Sequence, residues 1–118
     1  IFCIGETLKE KRKKITKQVL NKQIKSGLNK IKDKKNIIIA YEPVWSIGSG
    51  ILPKTNELFE IVNFIKKNYS KYKVLYGGSV NPKNINELKS IKNIDGFLIG
   101  GASQDYKKFI DIIKKTYN

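Results

Sequence analysis

The chain has 118 residues and a formal charge of +14, is 40% hydrophobic, and contains one Cys and no His. That suits one small domain with a real core; it excludes internal disulfides and Cys- or His-based metal sites, and no run of ~18 apolar residues offers a membrane span. A basic surface invites nucleic acid, but Arg, which reads bases and phosphates bidentately, occurs once. Lys, Ile and Asn make up almost half of the chain, so the charge reads as Lys on solvated helix faces, with neither nucleic acid nor membrane as a partner.

Residues 1–4 form the first apolar run, read as a strand. A helical pattern follows, with Ile15, Val19, Leu20, Ile24, Leu28 and Ile31 spaced near 3.6 residues and lysines opposite. Thr7-x-x-Glu10 reads as a capping box leading into it. Residues 37–41 form a second strand, and a second helix covers 55–69 with Leu58, Ile61, Val62 and Ile65 on one side. After a third strand at 74–76, a short helix follows Asn84, with Glu87 at its third position and Leu88 and Ile91 apolar. The last pair is a strand at 97–99 and a helix at 106–116 carrying Phe109, Ile110, Ile112 and Ile113.

Four βα units imply an α/β fold, with a parallel sheet whose strands are covered by helices. A small open sheet is one solution. Four units in about half the ~250 residues of a (β/α)8 barrel favour the other, a parallel (β/α)4 half barrel spanning residues 1–118. Alone, such a half leaves two strand edges unpaired and one sheet face open. The chain also lacks Met altogether, which fits a piece of a longer protein, although removal of an initiator Met would also leave none.

In parallel α/β folds chemistry gathers beyond the carboxyl ends of the strands. Here those positions read Gly5-Glu6, Glu42 to Gly50, Gly77-Gly78-Ser79 and Gly100-Gly101-Ala102-Ser103. Glycine lets a ligand approach the backbone, and a following helix start offers free N–H groups; together these grip phosphate. A tight strand-to-helix turn would use the same glycines for shape alone. Gly48-Ser49-Gly50 is neither a dinucleotide fingerprint nor a P-loop, because no Gly-Lys-Ser/Thr follows. Glu42 ends an apolar strand, where a partly desolvated carboxylate can act as a general base; an ordinary salt-bridged strand end is the plainer alternative. Trp45 and Ile47, among Ser46, Gly48, Ser49 and Gly50, suit a lid that closes and excludes water, or a tryptophan that only packs into the core.

Taken together, these segments resemble the triosephosphate isomerase family. Ala40-Tyr41-Glu42-Pro43-Val44-Trp45-Ser46-Ile47-Gly48-Ser49-Gly50 is similar to its signature. Cys3-Ile4-Gly5-Glu6, Tyr76-Gly77-Gly78-Ser79-Val80 and Asp95 to Ser103 are similar, in order, to its motifs on strands five, seven and eight. The resemblance implies a cofactor-free aldose–ketose isomerase acting on triose phosphates in glycolysis and gluconeogenesis, cytoplasmic and homodimeric at full length. It implies Glu42 as the proton-shuttling base and Pro43, Val44, Trp45, Ser46, Ile47, Gly48, Ser49 and Gly50 as the lid. Amides of Gly48, Ser79, Gly100 and Gly101 would hold the phosphate. Tyr76 and Ser79 would bond the closed lid, Leu98 would press on the base, Cys3 would be a buried support and Glu6 a structural carboxylate.

Two departures stand out. The family's usual Lys after the last lid glycine is Ile51 here. The family's electrophilic His and substrate-binding Asn and Lys belong to the first half of the barrel, which this chain does not contain. The expectation is a half that carries the base and the phosphate grip and is inactive alone. Sugar-phosphate isomerases of amino-acid biosynthesis share the glycine-rich cradle but lack the Tyr-Glu-Pro-Val-Trp lid. A phosphate-binding half barrel without catalysis is the alternative from outside enzymology.

Overall fold

A computed structural model describes residues 1–118. Strands β1 (Phe2–Ile4), β2 (Ile38–Tyr41), β3 (Lys73–Gly77) and β4 (Gly96–Leu98) form one sheet in sequence order, every neighbouring pair parallel. Helices α1 (Leu8–Arg12), α2 (Thr16–Leu28), α3 (Thr55–Asn68), α4 (Ile85–Lys89) and α5 (Tyr106–Tyr117) fill the connections and the C-terminal end.

Side-chain alternation divides the sheet into two unlike faces. Phe2, Ile4, Ile39, Tyr41, Val74, Tyr76 and Phe97 face the helices and join one core with Leu20, Ile24, Leu58, Val62, Ile65, Ile85 and Leu88. Burial of these side chains supplies the main stabilisation, roughly 1.5–3 kcal/mol for each large apolar group removed from water. The alternate positions, Cys3, Ile38, Leu75, Gly96 and Leu98, lie on the opposite face and stay partly or wholly exposed, with Ala40 and Gly77 buried among them. The near-continuous apolar runs imply strands covered on both faces, and the structure covers only one. Four strands do not close on themselves, so the second face meets no layer, and β1 and β4 remain edges.

The first helical pattern is two helices rather than one. The Thr7–Glu10 capping box is real, but it starts the separate helix α1. Lys14, at φ 59, turns the chain before α2 begins at Thr16. Left-handed backbone cannot continue a helix, and periodicity does not reveal such a break. At the other end α2 stops at Leu28, so Ile31 falls outside it and is exposed. Helix α5 carries its apolar stripe outward: Phe109, Ile110 and Ile113 are exposed, and only Ile112 is buried.

Candidate functional site

Parallel register sets the site. Tyr41 pairs with Tyr76, so the next residues, Glu42 and Gly77, stand level; Gly77 in turn pairs with Leu98. The Glu42 side chain lies across Gly77, where an added Cβ would come 2.8 Å from Oε1 and 2.9 Å from Cγ. On the other side the Glu42 amide donates to the Ile4 carbonyl at 2.7 Å. Gly5 passes so close that a Cβ there would stand 1.8 Å from the Glu42 carbonyl oxygen. Only glycine fits that crossing. Gln23 of α2 fixes it, its side chain accepting from the Gly5 amide (2.9 Å) and donating to the Gly5 carbonyl (3.0 Å).

Pro43 leads into a 3-10 turn over Val44–Ser46. Glu6, only 1% exposed, sits beneath it. Its carboxylate accepts from the Tyr41 hydroxyl at 3.1 Å and from Trp45 Nε1 at 3.2 Å. The Lys11 ammonium lies 4.6 Å from the centre of the Trp45 ring and pairs with Glu57 at 2.6 Å. Trp45 is thus half-buried on a polar, charged seat rather than enclosed in the core. Burial, then the neighbouring Glu6 charge, pushes the Tyr41 phenol well above its ordinary value.

The rest of the loop is fastened to β3. The Gly50 amide donates to Ser79 Oγ at 2.9 Å, and Ser79 Oγ donates to the Ser46 carbonyl. Ser46 Oγ donates to the Ile51 carbonyl and lies 3.2 Å from the Tyr76 hydroxyl. Burial raises the Tyr76 phenol to about 12. Gly48 and Gly50 have φ of 65° and 75°, the left-handed conformation that favours glycine. Ser79 adopts a similar φ, 48°, at a cost of order 1–3 kcal/mol. Asn84 Nδ2 (2.8 Å) and Asn81 Nδ2 (3.2 Å) both donate to its carbonyl and hold it there.

Glu42, Ile47, Gly48, Gly50, Ser79, Leu98, Gly100 and Gly101 line one cavity of about 590 Å³. Gly100 and Gly101 enter it at the start of the 3-10 turn Gly101–Gln104. Val44, Trp45, Ser46, Ser49 and Tyr76 lie outside its lining, the last three within the hydrogen-bonded frame behind the loop. Cys3 departs from expectation: it is exposed, because it occupies the uncovered sheet face. Partial desolvation, then the Glu42 carboxylate, still raises its thiol above the ordinary range.

Lys83 and Lys108 also line the cavity, and neither stood out among so many lysines. Their positions, four residues after Ser79 and in the first turn of α5, were the available signal. No three His, Cys, Asp or Glu side chains cluster as metal ligands would, and no helix is long and apolar enough to cross a membrane.

Comparison with known proteins places the chain in a family. Residues 1–116 match the family described as triosephosphate isomerase. Similar proteins include the triosephosphate isomerases of Thermodesulfovibrio yellowstonii (43% identical, 97% of this chain, 50% of that protein) and Mycoplasma mobile (44%, 97% and 48%). That of the yeast Zygosaccharomyces bailii is 42% identical over 96% of this chain and 49% of its own length. The chain spans about half the length of the curated relatives it matches.

Proposed function

Because the chain belongs to the triosephosphate isomerase family, we propose that Glu42 is a base that moves a proton between adjacent carbons of a triose phosphate. The complete protein thereby interconverts dihydroxyacetone phosphate and D-glyceraldehyde 3-phosphate, a step of glycolysis and gluconeogenesis. The observation that carries this reading is the shared cavity, in which one carboxylate and the glycine-rich loops after β2, β3 and β4 face the same space.

In this reading the amides of Gly48, Ser79, Gly100 and Gly101 grip the phosphate, and the grip holds the reacting carbons at a fixed distance from Glu42. Glu42 takes the proton from the carbon beside the carbonyl and returns it to the neighbouring carbon. Residues 43–50 form a lid that keeps water from the intermediate, with Leu98 beside the base and Tyr76 and Ser79 behind the lid. No cofactor takes part. With no His among its 118 residues, the chain lacks the family's electrophile. The remainder of a (β/α)8 barrel supplies it, and the assembled enzyme is a cytoplasmic homodimer.

Glu42→Asp tests the base in the complete enzyme, since the shortened side chain withdraws the carboxylate by about one methylene. Turnover falls by orders of magnitude with little loss of binding; unchanged turnover removes Glu42 from the role. The 118 residues alone have no significant isomerase activity, and near-wild-type turnover of glyceraldehyde 3-phosphate by them would overturn the division of labour. The absent imidazole also favours a second reading, a half barrel that binds phosphate without catalysis. A phosphate-induced rise in melting temperature, together with no turnover after reconstitution with the rest of the barrel, would select it.

A further inference from the structure

Two cavity side chains have no part in the proton transfer. Lys83 lies in the turn after β3, and Lys108 in the first turn of α5. Both line the cavity with Ser79, Gly100 and Gly101, and Glu42 is the only carboxylate in that lining. Their backbones are fixed while their heads remain exposed. The Lys83 amide donates to Asn81 Oδ1 at 2.8 Å, and the preceding Pro82 carbonyl accepts from Lys115 Nζ at 2.9 Å. The Lys108 amide donates to Asp105 Oδ1 at 3.3 Å, whereas its ammonium stands 3.8 Å from Asp105 Oδ2, a loose pair between exposed groups.

We propose that Lys83 and Lys108 form a cationic rim that draws a phosphate dianion into the cradle and makes its retention salt-dependent. This rests on the phosphate-binding reading above. Backbone amides carry only partial charge, and their field fades within a turn. An ammonium carries a full charge that is felt over about a Debye length, ~10 Å at 0.1 M salt. The rim therefore favours phosphate monoesters and inorganic phosphate as dianions, and a neutral triose gains nothing from it. Lys11, Lys66 and Lys115 pair with carboxylates; at this rim two lysines line the cavity that holds the glycine-rich loops.

Titration of the full chain with inorganic phosphate, followed by calorimetry, tests this at ~20 mM and ~500 mM salt. The double variant K83A/K108A is set against K9A/K92A, which removes the same charge from exposed positions outside the cavity. The expected result is about a fivefold loss of affinity for K83A/K108A at low salt, little change for the control, and convergence at high salt. Equal affinities for the two double variants would overturn the rim and leave the cradle standing. If the wild-type chain binds no phosphate at low salt, the cradle fails and the rim with it.

Discussion

The Glu42 carboxylate rests on the bare Cα of Gly77, thirty-five positions further along the chain, because β2 and β3 pair in parallel with Tyr41 level with Tyr76. The carboxylate is aimed by a missing side chain as much as by any bond. A methyl group there would stand 2.8 Å from Oε1, too near to coexist with the present rotamer. Gly77→Ala in the complete enzyme should therefore swing Glu42 away and reduce turnover about a hundredfold, with KM changed far less. Steady-state kinetics decides it: a variant at wild-type turnover would mean that Gly77 does not aim Glu42 for turnover.

Ser79 ties the loop after β2 at two points, accepting from the Gly50 amide and donating to the Ser46 carbonyl. Ser79→Ala removes both bonds, worth about 1 kcal/mol each. Hydrogen exchange at the Gly50 amide should accelerate about fivefold or more, while amides of β3 keep their protection. Unchanged exchange at Gly50 would show that the loop is held by other contacts.

Glu6 accepts from both Tyr41 and Trp45 while almost wholly buried. Glu6→Gln keeps the shape but brings in an amide N–H₂ facing those donors. The cost is about 1–3 kcal/mol. Trp45 is the only tryptophan, so its emission reports directly on this seat and should shift to the red in the variant. Emission and denaturation midpoint both at wild-type values would contradict the arrangement.

Tyr76 predicts an alkaline limit. Its phenol is raised from 10.0 to about 12 in the folded chain. The folded state thus holds its proton more tightly than the unfolded state does, so this contribution is complete below about pH 10. It is lost as pH rises through the interval up to about 12. Denaturant unfolding of wild type and Tyr76→Phe at pH 9 and pH 11.5 isolates it from lysine titration, which both share. The wild type should lose more stability between those pH values than the variant; parallel losses would exclude Tyr76 as the cause.

Much of this was legible without coordinates, and the reason is local. Short apolar runs mark each strand, and periodicity marks the later helices within a few residues but runs α1 and α2 together. In a parallel α/β chain, that order already puts Glu42, Ser79, Gly100 and Gly101 at the same ends of their strands. The capping box at Thr7 and Glu10 was likewise readable, being a contact across three residues.

What required the tertiary structure is everything set by register and by what covers what. No local pattern says that Gly77 lies under Glu42, or that Gln23 clamps Gly5 from eighteen residues away. Nor does it select Lys83 and Lys108 from twenty-three chemically identical lysines. The resemblance implies a buried Cys3, yet burial belongs to the pair of surfaces that meet, and its sheet face meets none. The outward apolar stripe of α5 has the same cause. Sequence specifies which side of an element is apolar; only packing decides whether that side is covered.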